Sequence, residues 1–179
     1  MKKIYGIFAS LSLAVIGLNY YASAAPYGAG RYNEDVPYGS ATSLTISTDG
    51  NTSIHLSPTE NGALGTGSSQ VSVTSTDIIG YKLYVRSEAG SRMHNGPDYL
   101  ESSDNIIPDS LTINTWGYNT DGSSSFVGMP AADTLVRARS GPFSSGDTTT
   151  FTYGVFIDNA KPAGNYTTSV VYTAVPQTY

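Results

Sequence analysis

The side chains that could perform acid–base or metal chemistry are few and scattered in this sequence. It contains two histidines, His55 and His94, and no cysteine. His55 falls on a predicted strand, where it faces away from Ile54 and Leu56, and His94 falls in a long irregular stretch. A Ser–His–Asp set depends on geometry and not on chain order, but the G-x-S-x-G motif that presents a nucleophilic serine is absent. We therefore predict that the protein is not an enzyme.

Two further patterns could bind a small ligand. Gly65-Thr66-Gly67 could cradle a phosphate if a helix followed, but no helical period follows, so we interpret residues 57–69 as a polar loop. Carboxylates in the stretch 88–110 offer the oxygen ligands that Ca²⁺ prefers, although their spacing does not match the calcium-loop pattern. They are Asp98, Glu101, Asp104 and Asp109. We predict no metal site and no cofactor; the alternative is an ion bound by the 88–110 loop.

Aromatic side chains are the remaining chemical signal. The chain has fourteen tyrosines and one tryptophan, more than one core needs, and such rings offer contact area to sugars or proteins at low entropic cost. If Trp116 lies on the exposed face of its strand, it contributes to a contact surface; if it lies in the core, the opposite face is exposed. The candidate contact residues are Tyr27, Tyr32, Tyr38, Tyr84, Trp116 and Tyr118.

The clearest structural pattern lies in residues 148–175. Phe151, Tyr153, Val155 and Ile157 recur at every second position, and a second run with Val170 and Tyr172 does the same. This period predicts two strands, each with one buried face. Pro162 and Gly164 suit the turn between the runs, which either closes a hairpin or arches from one sheet to another.

Shorter strand signals fill the chain upstream. Residues 43–48 and the run ending at Leu56 flank Asp49-Gly50-Asn51, which predicts an opening hairpin. Tyr81, Leu83 and Val85 are predicted to face inward. Eight or nine short strands with regular turn signals indicate an all-β fold, either an immunoglobulin-like or a jelly-roll β-sandwich.

The first 24 residues have the features of a cleaved secretory signal peptide. Lys2 and Lys3 precede an apolar run that is short for a membrane span, and Ala22-Ser23-Ala24 suits cleavage after Ala24. The expected location is extracellular or at the cell surface, with no membrane segment after cleavage. Removal of Lys2 and Lys3 changes the net charge from −5 to −7. The remaining basic residues are scattered, which argues against nucleic-acid binding.

The predicted organisation is a signal peptide (1–24), a flexible arm (25–42) and one sandwich domain (43–179). Pro-Tyr-Gly occurs twice in the arm, and Val36 is its only aliphatic residue larger than alanine. The arm therefore cannot form a core, and it lacks the alternating apolar residues of a donated strand. It is either a spacer without a further role or a weak, multivalent contact segment.

Five short motifs combine aromatic residues with glycine or with small residues. They are Gly80-Tyr81-Lys82-Leu83, Thr115-Trp116-Gly117-Tyr118, Thr152-Tyr153-Gly154, Pro162-Ala163-Gly164-Asn165-Tyr166 and Val171-Tyr172-Thr173-Ala174. Together they resemble a family of exported β-sandwich proteins on the surfaces of small episymbiotic candidate-phylum bacteria. The resemblance spans roughly residues 43–175 and extends to the Tyr/Gly-rich arm, and it implies surface location and a structural or adhesive role.

Two functional classes follow from these observations. The first is a non-enzymatic adhesive or structural surface protein, such as a subunit of an extracellular filament or coat. The alternative is a glycan-binding module of the cell envelope. Expected partners are other surface proteins, the envelope or a host-cell surface, together with self-association.

Overall fold

The computed structural model describes residues 7–12 and 42–177, which form an all-β protein. Twelve strands and no helix occur in these residues. The strands are β1 (Ile7–Ser12), β2 (Ser43–Thr48), β3 (Thr52–Leu56), β4 (Ala63–Thr76), β5 (Gly80–Ser87), β6 (Met93–Asn95), β7 (Asp98–Ser102), β8 (Thr115–Asn119), β9 (Val127–Gly128), β10 (Thr134–Ser140), β11 (Phe143–Ile157) and β12 (Asn165–Gln177).

The strands form two layers that are continuous through β6 and β7. One layer has the order β2–β4–β11–β8, and the other has the order β10–β5–β12. Most pairs are antiparallel, whereas β7–β8 and β1–β12 are parallel. β1 also pairs antiparallel with β3. The prediction of an all-β sandwich is confirmed.

The hydrophobic core lies between the two layers. The predicted inward residues are buried in both of them: Tyr81, Leu83, Val85, Phe151, Tyr153, Val155, Ile157, Val170 and Tyr172. Phe151 of β11 packs against Tyr172 of β12 with ring centroids 4.7 Å apart, and the Tyr153 and Tyr172 hydroxyls are hydrogen-bonded. The period-2 pattern therefore identified the buried faces correctly.

The connection between β11 and β12 is an arch and not a hairpin. β11 pairs with β4 and β8, whereas β12 pairs with β1, β5 and β6. Tyr166 Oη donates a hydrogen bond of 2.9 Å to the Pro162 carbonyl oxygen, which fixes the start of β12 against the turn. Of the two alternatives that the sequence left open, the structure therefore has the second.

The predicted opening hairpin is wrong. β2 pairs with β4, and β3 pairs with β1, although β2 and β3 follow one another closely in the chain. Thr52, Ile54 and Leu56 of β3 are all buried.

Two segments assigned to loops contain strand. Residues 63–69 belong to β4 and pair with β11, with Gly65 opposite Val155 and Gly67 opposite Tyr153. β6 and β7 form a small hairpin in the stretch 88–110, where Met93 and Leu100 are opposite each other and buried. The sequence pattern did not predict these strands, because the first segment has few apolar residues and the strands of the second are very short.

The predicted signal peptide and arm fall mostly outside the described residues. Within 1–24, only Ile7–Ser12 is described, as β1. Within 25–42, only Thr42 is described. Cleavage and the character of the arm stay predictions.

Candidate functional site

The six candidate contact residues lie in different environments or outside the described part of the chain. Tyr27, Tyr32 and Tyr38 lie outside the described residues. Tyr84 is half-buried on β5, in a ladder position between Leu135 of β10 and Thr173 of β12. It is the one described member of the set whose ring is partly accessible.

Trp116 and Tyr118 belong to the core, so their assignment as contact residues is wrong. Trp116 is fully buried and donates a hydrogen bond of 3.0 Å from Nε1 to the Ser91 carbonyl oxygen. Tyr118 is 7% exposed and packs near Phe151. The alternation in the sequence separated the two faces of β8 but did not show that the face with these rings is the inner one.

The first candidate recognition element is the outer edge of β2. This strand is at one end of the sheet order and, among the described residues, pairs only with β4. Its sequence, Ser-Leu-Thr-Ile-Ser-Thr, contains neither a charged residue nor a proline. Such residues normally prevent an edge strand from pairing with another chain, so the β2 edge is unprotected.

The opposite end of the sheet order is protected by charge. Arg137 and Arg139 extend from β10 and bind Asp147 at 2.8 Å and 3.1 Å. Tyr81 Oη donates a third hydrogen bond of 2.5 Å to the same carboxylate. Burial, and then the hydrogen bond to Asp147, raise the pKa of Tyr81 to about 12. The two end strands of this order therefore differ, because β10 contains two arginines and β2 contains no charged residue.

A second accessible feature is an aromatic–cationic surface formed by Tyr99, Arg92 and Lys161. The Tyr99 side chain is 42% exposed. The guanidinium carbon of Arg92 lies 4.5 Å from the ring centroid and Lys161 Nζ lies 5.8 Å from it. Arg92 is also paired with Glu101 at 2.7 Å, and Lys161 Nζ donates to the Tyr99 carbonyl oxygen at 2.8 Å.

Sequence analysis missed this surface, because Arg92 and Tyr99 lie in the stretch interpreted as irregular. The β6–β7 hairpin brings them together, with His94 opposite Tyr99 in the ladder. Met93 and Leu100, apolar residues on either side of Asn95-Gly96, are the signal that could have revealed the hairpin.

The residues considered for catalysis or metal binding do not converge. The side chains of His55 and His94 are both exposed. Within residues 7–12 and 42–177, no group of three or more histidine, aspartate or glutamate side chains is arranged to hold a metal ion. No helix in the same ranges is long and apolar enough to cross a membrane. Gly65-Thr66-Gly67 lies inside β4, where its backbone groups face β11.

The sequence matches no protein-family model and shows no significant similarity to a curated protein. The resemblance to exported sandwich proteins of episymbiotic bacteria therefore stays a prediction.

Proposed function

We propose that this protein is a non-enzymatic structural or adhesive protein, exported to the cell surface, that assembles with further copies into a filament or coat. The observation that carries the proposal is the unprotected edge of β2. An edge strand offers a row of backbone donors and acceptors that a second chain can pair with. The predicted Tyr/Gly-rich arm immediately precedes this strand and would add weak contacts beside it.

The side-chain pattern of β2 favours pairing over solvation. Leu44 and Ile46 pack partly against the core, whereas Ser43, Thr45 and Ser47 are exposed. Small hydroxyl side chains allow another strand to approach closely, and Thr–Thr or Thr–Ser pairs across strands are favourable. A second β2 would meet the same neutral surface, so self-pairing brings no like charges together.

The test compares two lysine substitutions of equal charge. Thr45→Lys places the charge on the β2 edge, whereas Gln70→Lys places it at an exposed position of β4 next to β11. We expect the unsubstituted protein and Gln70→Lys to form oligomers or filaments in light scattering and electron microscopy, and Thr45→Lys to remain monomeric. If the unsubstituted protein is monomeric at all concentrations, the proposal is wrong.

The glycan-binding alternative is favoured by the aromatic–cationic surface. An exposed ring beside two cations suits an acidic sugar, because the ring can stack on the sugar while the cations face its carboxylate. Tyr99→Ala should abolish binding to acidic envelope polysaccharides, whereas Tyr84→Ala should preserve it. Equal binding by both variants would remove this candidate.

A further inference from the structure

A gap one strand wide separates β3 from the first part of β12. β3 has no ladder partner in residues 42–177, and residues 165–169 of β12 have none on the side that faces β3. We call this gap the β3–β12 slot. β1 occupies it, antiparallel to β3 and parallel to β12, with five paired positions on each side.

The β3 wall of the slot is held by side chains and not by a ladder of its own. Thr52, Ile54 and Leu56 are buried against the face of β4. A Cβ atom at Gly65 would lie 2.6 Å from Leu56 Cδ2, and one at Gly67 would lie 2.6 Å from Thr52 Cγ2. The absence of side chains at both positions therefore allows β3 to lie directly on β4, so the edge of β3 toward the slot stays available for pairing.

The slot requires an occupant. Backbone N–H and C=O groups beside a buried face destabilise the folded state when they lack a hydrogen-bond partner. Two facing edges present such groups together. A single inserted strand satisfies both edges. The slot therefore differs from the β2 edge, which is exposed and can be solvated.

The pairing register defines the chemistry of the occupant. Directly paired residues of a ladder share one face of the sheet. Position 9 pairs with Ile54 and Tyr166, which are 4% and 3% exposed. Position 11 pairs with Thr52 and Thr168, which are also buried, and position 7 pairs with Leu56. The wall residues at all three positions are buried, so small or apolar side chains at alternate positions of an inserted strand suit the slot.

The present occupant lies in the part of the chain that is predicted to be removed on export. Residues 1–24 have the pattern of a signal peptide, and β1 falls within them. The arm that remains, residues 25–41, has one valine and no aliphatic alternation. After cleavage the chain would have no suitable strand of its own upstream of β2.

We propose that the β3–β12 slot is an acceptor site for a strand from a second exported protein. The donated segment is extended, runs parallel to β12, and carries small or apolar side chains at alternate positions. This inference goes beyond self-assembly through the β2 edge, because it concerns a different surface and a different partner.

The experiment uses the full chain, produced without export so that residues 1–24 are retained. Ala9→Asp introduces a charge at the position between Ile54 and Tyr166 and should expel β1 from the slot. Ser10→Asp is the matched control, because position 10 pairs with exposed Ser53 and with Thr167. The probe is a synthetic peptide with the sequence of residues 5–14. Leu11→Asn is a milder second variant for the event that Ala9→Asp does not fold.

We expect Ala9→Asp, or Leu11→Asn, to unfold at a lower temperature and to recover when the peptide is added. The peptide should bind the variant with 1:1 stoichiometry and at least about ten-fold more tightly than it binds the unsubstituted chain, whose slot is occupied. Ser10→Asp should behave like the unsubstituted chain. A peptide that itself carries the Ala9→Asp change should not bind.

Three results would overturn the proposal. Equal stability of all variants would mean that segment 7–12 does not hold the slot. A destabilised variant that does not bind the peptide would mean that the slot accepts no strand in trans. Tighter binding of a peptide with the sequence 25–41 would identify a second copy of this chain as the donor. Adding Thr45→Lys to each variant blocks pairing at the β2 edge, so that the measured binding reports on the slot alone.

Discussion

At the scale of single residues, a pair of tyrosine hydroxyls joins the two layers of the core. Tyr153 on β11 and Tyr172 on β12 are hydrogen-bonded through their hydroxyls, although the two strands share no ladder. Burial raises the pKa of Tyr153 well above its usual value and raises that of Tyr172 in the same way. Both hydroxyls therefore stay protonated in the folded state.

We predict that this pair makes the protein sensitive to alkaline pH. The folded state retains protons that the unfolded chain loses above about pH 10, so the free energy of unfolding falls as the pH rises from there. The denaturant midpoint should drop between about pH 9 and pH 11.5. The denaturant midpoint of the double variant Tyr153→Phe/Tyr172→Phe should fall less over this interval. The midpoint of Tyr99→Phe, at an exposed ring, should fall as much as that of the unsubstituted protein. Equal losses in all three would contradict the prediction.

A second prediction at this scale concerns the aliphatic core. Val155 and Val170 are at most 1% exposed and lie in opposite layers. Val155→Ala and Val170→Ala should each lower the free energy of unfolding by about 1–3 kcal/mol, because each removes buried methyl groups and leaves a cavity. Thr150→Ala, at an exposed position of β11, should change it little. Chemical denaturation measures all three, and unchanged midpoints for both valine variants would show that these side chains do not form the core.

At the scale of elements, the packing of β3 on β4 depends on two glycines. A strand normally lies about 10 Å from the sheet that it covers, and side chains fill the space between them. Gly65 and Gly67 contribute none, and the apolar face of β3 fills their positions. This packing explains why β4 continues through a stretch with weak strand propensity.

We predict that a side chain at position 65 displaces β3. In Gly65→Val, the new Cβ would lie 2.6 Å from Leu56 Cδ2 and 2.7 Å from Ile54 Cγ2, well inside van der Waals contact. Such overpacking should cost about 1–3 kcal/mol of stability. Thr66→Val is the control, because position 66 is exposed on the same strand. Thermal unfolding of the two variants checks the prediction, and equal melting temperatures would mean that β3 does not rest on β4.

At the scale of the whole molecule, one acidic sandwich combines three surfaces for contact. The β2 edge is neutral, the aromatic–cationic surface holds two cations and the Glu101 carboxylate that pairs with Arg92, and the β3–β12 slot is lined by buried residues. The net charge of −5 makes copies of the protein repel one another, so the proposed assembly would need specific pairing and not general attraction. Strand pairing meets this requirement because register and side-chain fit select the partner.

We predict that the arm contributes to association but not to stability. Deletion of residues 25–41 should leave the melting temperature nearly unchanged, because this segment has too little apolar surface to add to a core. Self-association or adhesion to cells should fall, because Tyr27, Tyr32 and Tyr38 are lost. A large loss of stability would mean that the arm is part of the sheet. Unchanged stability, association and adhesion would mean that it is only a spacer.

The sequence alone determined the class of fold and most of the buried faces. Alternation along a strand is a local property, so it predicts a buried face made of every second residue, such as Tyr81, Leu83 and Val85, without knowledge of the partner strand. Turn residues marked the ends of strands for the same reason. The flexible arm over residues 25–42 stays a prediction, which rests on the lack of large apolar residues, because a segment without them cannot form a core.

Only the tertiary structure decided which strands are partners and which faces remain open. Pairing depends on contacts between residues far apart in the chain. For this reason β2 pairs with β4 and not with β3, and β11 and β12 lie in different layers. Burial of Trp116 followed because its face of β8 turned toward the opposite layer. The strand at Gly65 had no local apolar signal, since its packing surface is supplied by β3. The aromatic–cationic surface and the β3–β12 slot arise from the same long-range contacts, so a reading confined to neighbouring residues could not have found either.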